Sequence, residues 1–261
     1  MSMESIASHI ITWLSSYAQK AQMNGWVVGV SGGIDSAVTS TLCARTGLPT
    51  YVIEMPIHQQ ASQVSRAQSH IQQLERTHAN VHSIRVDLTG VYDAFASSLP
   101  NGDDRSSGLA LANSRARLRM TTLYALAADR NALVAGTGNK VEDFGVGFYT
   151  KYGDGGVDVS PIADLLKTEV FALGKVLGVI EEILQASPTD GLWGDDRTDE
   201  DQLGATYPEL EWAMAHAHQN DPNWSDRQRE VMQTYKRLNT ANQHKMHPIP
   251  VCQIPAALRE T

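Results

Sequence analysis

The chain has 261 residues, of which 42% are hydrophobic and 19% are charged, a composition typical of a soluble globular protein with one or two domains. Its formal net charge of −8 argues against a duplex or transfer-RNA partner, because such partners are bound mainly through clustered Lys and Arg. No apolar run approaches the ~20 residues of a membrane span and the N-terminus lacks the features of a secretion signal, so we expect a cytoplasmic protein without a membrane or nucleic-acid partner.

Strands and helices alternate in the predicted order of elements. The first element is an amphipathic helix over 3–23, and an apolar strand over 26–30 follows it. Three further strands are predicted, over 50–55, 81–86 and 132–135. The intervening helices are predicted over 37–45, 62–75 and 109–130. This alternation favours an α/β fold in which helices flank a doubly wound parallel sheet, with ligands at the carboxyl ends of the strands.

The turn Ser31-Gly32-Gly33-Ile34-Asp35-Ser36 lies between the first strand and the first core helix and has the features of an anion site. Adjacent glycines let the backbone approach a pyrophosphate, and the hydroxyls of Ser31 and Ser36 and the positive end of the helix favour the same ligand. The turn has no lysine, so it is not a Walker A loop. It resembles the signature of the ATP pyrophosphatases, which cleave ATP between the α and β phosphates. A serine-capped helix after a Gly-Gly turn is the alternative interpretation.

Two later stretches resemble the NAD synthetases. Gly136-Thr137-Gly138-Asn139-Lys140-Val141-Glu142 follows the fourth strand, and Phe148-Tyr149-Thr150-Lys151-Tyr152-Gly153-Asp154-Gly155-Gly156-Val157-Asp158 comes next. Within the ATP pyrophosphatases, the second pattern is peculiar to enzymes that amidate nicotinic acid adenine dinucleotide. The resemblance runs from about residue 25 to residue 246. It implies an adenine nucleotide α-hydrolase-like fold.

The resemblance also implies a single domain over 1–261. We expect an N-terminal helix over 3–23, a nucleotide-binding core over about 24–180, and a C-terminal lid loop with helices over about 181–261. The polar segments 101–108 and 187–201 are predicted to be loops, and long loops in compact domains are often lids or binding loops. We therefore expect the second of them to close over the substrate.

The activity that the resemblance implies is the amidation of deamido-NAD to NAD. The nicotinate carboxylate would attack the α-phosphorus of ATP, pyrophosphate would leave, and ammonia would displace AMP from the adenylated intermediate. Mg²⁺ favours carboxylate and phosphate oxygens, which suits Asp35 and Glu142 as its ligands. A helix-terminus acid and a solvated loop acid are the alternative interpretations of these two residues.

Free ammonia is the expected nitrogen donor, because only one helix precedes the glycine turn and this leaves no room for an N-terminal amidase domain. The resemblance further implies a homodimer whose dinucleotide sites lie at the subunit interface. Trp13, Tyr17 and the helix over 109–130 are the candidate contacts.

ATP is expected to contact the glycine turn, two residues after the second strand and, by resemblance, three residues elsewhere in the chain. These residues are Met55, Gln60, Thr137, Lys167 and Thr189. By resemblance, Lys167 is expected to face the charge that develops at the α-phosphorus, and Thr189 to lie near the same phosphates. Asp154 is a candidate acceptor for the proton that ammonia loses as it attacks, although a tight turn is its competing interpretation. Lys167, Thr189 and Asp154 are therefore the candidate catalytic residues.

Deamido-NAD is expected to contact two groups of residues. Asn113, Arg117 and Tyr124 share one face of the helix over 109–130, and a surface salt-bridge face is the alternative interpretation. By resemblance, the other group comprises Phe148, Lys151, Asp154, Asp158, His244 and Lys245. A surface His-Lys pair on a prolyl tail is the alternative for the last two.

Two other functions share the glycine turn. A transfer-RNA-modifying enzyme is disfavoured by the acidic balance of the chain. A non-catalytic ATP sensor is disfavoured by Asp35, by Glu142 and by the FYTKYGDGG stretch, because a sensor needs no second substrate pocket.

Overall fold

The computed structural model describes residues 2–100, 107–189 and 198–259. Most of the two predicted loops, 101–108 and 187–201, therefore lies outside the described residues, and so does the core of the expected lid. Within the described ranges, no helix is long and apolar enough to cross a membrane.

Four parallel strands form the central sheet, in the spatial order β3-β2-β1-β4. The strands are Trp26–Gly29 (β1), Thr50–Glu54 (β2), Val81–Arg85 (β3) and Leu133–Val134 (β4). Trp26 of β1 pairs with Thr50 on one side and with Leu133 on the other, and a bridge from Ala135 to Val159 extends the sheet beyond β4.

Ten α-helices occur in the described ranges. Six of them precede residue 180: Met3–Ala21 (α1), Ile34–Ala44 (α2), Ala61–Thr77 (α3), Thr89–Ser98 (α4), Ser107–Arg130 (α5) and Lys167–Leu177 (α6). The other four are Glu181–Leu184 (α7), Asp199–Leu203 (α8), Tyr207–Ala215 (α9) and Asp226–Met246 (α10). A π-helical turn spans Val141–Val146, and a 3₁₀ turn spans Ala256–Leu258.

Helices cover both faces of the sheet, as the alternation of strands and helices predicts. Neighbouring strand residues point to opposite faces, so Val28 packs with α1, α2 and α6, while Val27 packs with α4 and α5. Both side chains are fully buried, as expected for a strand covered on two sides. The prediction of a doubly wound parallel sheet is therefore confirmed.

The C-terminal helices form a second core at one end of the sheet. Leu210 of α9 and Val231 and Tyr235 of α10 pack on Val141 and Val146 of the π-helical turn. This packing matters for function, because the π-helical turn carries Glu142 and Asp143.

Candidate functional site

The glycine turn joins β1 to α2 at the carboxyl edge of the sheet. Gly32 has a φ of +82°, and a Cβ there would lie 2.7 Å from the Gln63 carbonyl oxygen and 2.9 Å from the Ala67 nitrogen. Only glycine fits this position, because other residues rarely adopt this φ and their Cβ would clash with the backbone of α3. The N-cap residue of α2 is Gly33, which has no side chain to cap the helix, so the first-turn amides are available to an anion.

The two serines of the turn hold its shape. Ser36 Oγ donates to the Gly33 carbonyl oxygen at 3.0 Å and accepts from the Ser31 amide at 3.2 Å. The hydroxyls of Ser31 and Ser36 lie 3.2 Å apart. The turn is therefore rigid before any ligand arrives.

An open cleft of about 290 Å³ lies over this turn at the carboxyl ends of the strands. Twelve of the residues singled out from the sequence line it: Ser31, Gly32, Gly33, Asp35, Ser36, Met55, Thr137, Glu142, Phe148, Asp154, Lys167 and Thr189. They come from six separate segments of the sequence, and this convergence identifies the cleft as the candidate active site.

Lys167 is the electrostatic centre of the cleft. It is the first residue of α6, its side chain is only 3% exposed, and its Nζ donates to Asp35 Oδ2 at 2.6 Å and to Glu142 Oε1 at 2.8 Å. The ring of Tyr207 packs 4.8 Å from Nζ, and the Tyr207 hydroxyl donates to Glu142 Oε1 at 2.6 Å. Residues far apart in sequence thus form one buried network.

The pKa values in this network follow from burial and charge. Burial alone would lower the pKa of Lys167, but Asp35 and Glu142 outweigh it and raise the pKa, so the amine stays charged. Burial raises the pKa of Asp35. Burial also opposes ionisation of Glu142, but Lys167 and the hydroxyl of Tyr207 outweigh it and lower the pKa.

The carboxylates of Asp35 and Glu142 fit a divalent cation. They remain 16% and 15% exposed to the cleft, and they offer the oxygen donors that Mg²⁺ prefers. Asn139, which is fully buried, links them by donating to Asp35 Oδ1 at 3.0 Å and accepting from the Glu142 amide at 3.1 Å. No group of three or more potential metal-ligating side chains occurs in the part of the chain that is described, so phosphate oxygens and water would have to complete the coordination.

Asp143 and Asp154 form a second group of carboxylates that lines the cleft. The Oδ1 atom of Asp154 accepts from the Thr150 amide at 2.9 Å. Burial raises the pKa of Asp154, and burial together with repulsion from Glu142 and Asp154 raises the pKa of Asp143 to about 8. Asp143 lines the cleft and is missing from the residues singled out by sequence.

The residues expected to bind the dinucleotide lie mostly beside the cleft and are hydrogen-bonded to one another or to the backbone. Tyr124 donates to Asp158 Oδ1 at 3.0 Å, and Asp158 Oδ2 accepts from the Val134 amide at 2.8 Å. Lys151 Nζ donates to the His244 carbonyl oxygen at 2.7 Å. These contacts fasten the loop over 148–158 to α5, to the sheet and to α10.

Three further residues belong to the same group of contacts. Arg117 donates to the Lys151 carbonyl oxygen at 3.3 Å, and Asn113 accepts from the Thr150 hydroxyl at 2.7 Å. Lys245 donates to the carbonyl oxygens of Gly147 and Tyr149. Of the residues expected to contact the dinucleotide, Phe148 and Asp154 line the cleft.

One residue expected to contact ATP does not line the cleft. Gln60 is exposed at the start of α3 and does not line the cleft, whereas its neighbour Gln59 does. Gln59 accepts from Arg119 at 2.9 Å, and Arg119 also donates to the Met55 carbonyl oxygen at 3.1 Å. Arg66 also lines the cleft without having been singled out by sequence. The run of arginines at 115–119 is the only sequence signal that points to any of these residues.

Comparisons with known proteins identify relatives of this chain. A family model described as NAD synthase matches residues 6–249. The NH3-dependent NAD+ synthetase of Carboxydothermus hydrogenoformans is 38% identical over 90% of this chain and 92% of its own length. That of Syntrophomonas wolfei is 34% identical over 99% of this chain and 100% of its own.

Solved structures of synthetases are also similar to this chain. The NMN synthetase of Francisella tularensis has a TM-score of 0.85 and 32% identity, covering 98% of this chain and 99% of that one. The NH3-dependent NAD synthetase of Campylobacter jejuni has a TM-score of 0.77 and 25% identity, covering 97% and 100%. The predicted fold class and the resemblance are confirmed, and neither the transfer-RNA-modifying enzyme nor the ATP sensor is favoured. The chain belongs to the NAD synthase family.

Proposed function

We propose that this chain amidates deamido-NAD to NAD with ammonia and ATP, releasing AMP and pyrophosphate. The observation that carries the proposal is the glycine turn facing a charged lysine that two carboxylates hold at 2.6 and 2.8 Å, in a chain whose relatives are NH3-dependent NAD+ synthetases. A carboxylate is a poor acylating agent, so its amidation requires activation by a nucleotide. The cleft offers the groups for that step.

The phosphates would bind to the amides of the glycine turn and of α2. Lys167 would stabilise the negative charge that develops at the α-phosphorus, because its buried ammonium is already oriented and needs no reorganisation during the reaction. We propose Mg²⁺ as the cofactor, held by Asp35 and Glu142, where it would neutralise phosphate charge. Thr137 and Thr189 line the cleft and would donate their hydroxyls to the phosphates.

The nicotinate carboxyl would lie between the phosphates and the second group of carboxylates. Phe148 lines the cleft there and would stack on the pyridine ring. Asp154 would take the proton that ammonia loses as it attacks the mixed anhydride. The rest of the dinucleotide would contact the loop over 148–158, α5 and the end of α10, through the residues expected from the sequence: Asn113, Arg117, Tyr124, Lys151, Asp158, His244 and Lys245.

A homodimer forms the second part of the proposal. α4 buries only Tyr92, while Val91, Phe95 and Leu99 form an exposed apolar stripe at intervals of four residues. α5 packs beside α4 and carries a further exposed apolar residue, Leu109. A second copy of the chain on this surface would cover the stripe and bring its own residues near the loop over 148–158. Trp13 and Tyr17 are also exposed and offer a further contact between the two copies. We propose that the protein is located in the cytoplasm.

The function is tested by incubating the pure protein with ATP, Mg²⁺, deamido-NAD and ammonium, and omitting each component in turn. NAD, AMP and pyrophosphate are expected in equal amounts, and only with the complete mixture. Formation of ADP instead of AMP would contradict the proposal, because the bond broken would then not be the one next to the α-phosphorus.

A second candidate function is the same amidation on a mononucleotide. It is favoured by the NMN synthetase match, which covers nearly all of both chains at 32% identity. It also agrees with the geometry, since most of the residues expected to hold the dinucleotide are hydrogen-bonded to the protein itself. Comparing kcat/KM for nicotinic acid mononucleotide and for deamido-NAD decides between the two substrates.

A further inference from the structure

Three basic side chains line the cleft among the described residues, namely Arg66, Arg119 and Lys167. Lys167 already lies between two carboxylates, and Arg119 donates to the Met55 carbonyl oxygen and to Gln59. Both cations are therefore engaged at fixed positions. Arg66 has the weakest of these contacts, because its Nε lies 3.4 Å from the Gly32 carbonyl oxygen.

The same cleft is rich in acidic side chains. Six of them line it: Asp35, Glu54, Glu142, Asp143, Asp154 and Asp199. The chain as a whole carries a net charge of −8. A nucleoside triphosphate that enters this cleft is repelled by its surroundings unless cations stand close to the phosphates. The glycine turn itself contains no basic residue.

Arg66 lies directly beside that turn. The backbone of Gln63 and Ala67 packs on Gly32, as described above, and Arg66 lies between these two residues on α3. Its Cβ is 3.3 Å from the position that a Gly32 Cβ would occupy. Its Nε donates to the Gly32 carbonyl oxygen at 3.4 Å, a long contact from a half-buried side chain. An anion on the turn would be a stronger partner for the guanidinium than this carbonyl oxygen.

We propose that Arg66 binds the β and γ phosphates of ATP on the glycine turn and stays with the pyrophosphate that leaves. The inference rests on the proposed function. In the adenylation step, a carboxylate oxygen forms a bond to the α-phosphorus while the bond from that phosphorus to the bridging oxygen breaks. The electron pair of the broken bond stays on the pyrophosphate, so negative charge grows on the phosphates next to Arg66. A planar guanidinium accommodates such an anion with two parallel hydrogen bonds.

Product inhibition provides the test, because the two products report on different parts of the site. Arg66→Gln keeps most of the side-chain length and removes the charge. It is expected to raise the inhibition constant of pyrophosphate about tenfold or more and to raise the KM for ATP, while the inhibition constant of AMP changes less than about twofold. AMP lacks the β and γ phosphates, so it does not contact Arg66 in this arrangement.

Two further variants complete the experiment. Arg76→Ala removes an exposed arginine from the last turn of the same helix, and it is expected to leave all three constants unchanged. Arg66→Lys keeps the charge, and it is expected to bind pyrophosphate more tightly than Arg66→Gln does. The inference is overturned if Arg66→Gln leaves pyrophosphate inhibition unchanged, or if Arg66→Lys is no better than Arg66→Gln. It is also overturned if pyrophosphate and AMP weaken equally, which would mean that Arg66 only supports the turn. A wild-type protein that forms no AMP contradicts the proposed function instead.

Discussion

Two regions of the site, called the phosphate end and the nicotinate end after their proposed ligands, differ in what their polar side chains contact. The phosphate end comprises the glycine turn 31–36, Glu142 and Lys167, and its side chains point into the cleft and contact one another there. The nicotinate end comprises Tyr124, the loop over 148–158 and Lys245, and most of its polar side chains are hydrogen-bonded to the protein beside the cleft.

From this difference we expect that one chain suffices for the proposed nucleotide activation. At the phosphate end, charge is balanced within the chain, because one buried ammonium faces two carboxylates. At the nicotinate end, the hydrogen bonds shape the loop over 148–158, and in the proposed homodimer a second chain would complete the substrate contacts. Substitutions at the phosphate end should therefore change the binding of ATP, and substitutions at the nicotinate end should change the binding of the nicotinate substrate.

The largest effect is expected from Lys167→Met, which removes the charge at the phosphate end. It leaves Asp35 and Glu142 buried together without a cation, so kcat/KM should fall by about 100-fold or more and the free energy of unfolding by about 3 kcal/mol. Steady-state assays and urea denaturation measure both. Lys140→Ala is the control, since its ion pair with Asp164 is exposed and its loss should cost less than about 1 kcal/mol. Equal effects of the two variants would contradict the central role of Lys167.

The next largest effect is expected from Gly32→Ala. Its Cβ would meet the backbone of α3 in addition to the unfavourable φ of +82°, so the free energy of unfolding should fall by about 3 kcal/mol and ATP binding should weaken. Gly47→Ala is a matched control, because Gly47 has a φ of +78° and nothing within 4 Å of the Cβ position. It should cost only about 1 kcal/mol. Similar losses in thermal and urea melts of both variants would mean that α3 does not pack on the turn as described.

The free energy of unfolding should depend on pH through His70, whose side chain lies between α3 and α2. His70 of α3 is fully buried, its Nε2 lies 2.9 Å from Ser40 Oγ of α2, and burial lowers its pKa to about 4. The unfolded chain protonates this residue near pH 6.5, so it binds more protons than the native state between pH 6.5 and 4. The contribution of His70 to the free energy of unfolding is therefore complete above pH 6.5 and falls by about 2 kcal/mol at pH 5.

Urea denaturation at pH 7 and pH 5 measures this effect against His70→Gln, which has no titrating group at that position. The variant should be less stable at pH 7 and should lose less stability on acidification than the wild type. Parallel losses in the two proteins would exclude His70 as the source.

The smallest effect is expected from Tyr124→Phe, at the nicotinate end. It removes the hydrogen bond to Asp158, which is worth about 1 kcal/mol, so the KM for the nicotinate substrate should rise about fivefold. The KM for ATP should stay unchanged. Thr77→Val, which removes an exposed hydroxyl that is hydrogen-bonded within α3, is the control in the same assays. An equal rise in the KM for ATP would contradict the prediction that the two ends bind their substrates independently.

Local patterns in the sequence determine the strands, most of the core helices and the glycine turn. β1, β2 and β3 are short apolar or alternating runs between turn residues, so their type and approximate bounds follow from residue periodicity. α4 is absent from the predicted elements, because its sequence contains a glycine and buries a single residue, Tyr92. Such a helix has no apolar periodicity to detect.

The residues of the phosphate end could also be predicted from the sequence, because they lie in motifs. Only the tertiary structure decides how they meet: Lys167 contacts Asp35 across 132 positions and Glu142 across 25. Asp143 and Tyr207 belong to the same site without belonging to any motif that the sequence singles out. Their positions depend on how the π-helical turn and α9 pack at the end of the sheet, and packing between distant segments leaves no local pattern in a single sequence.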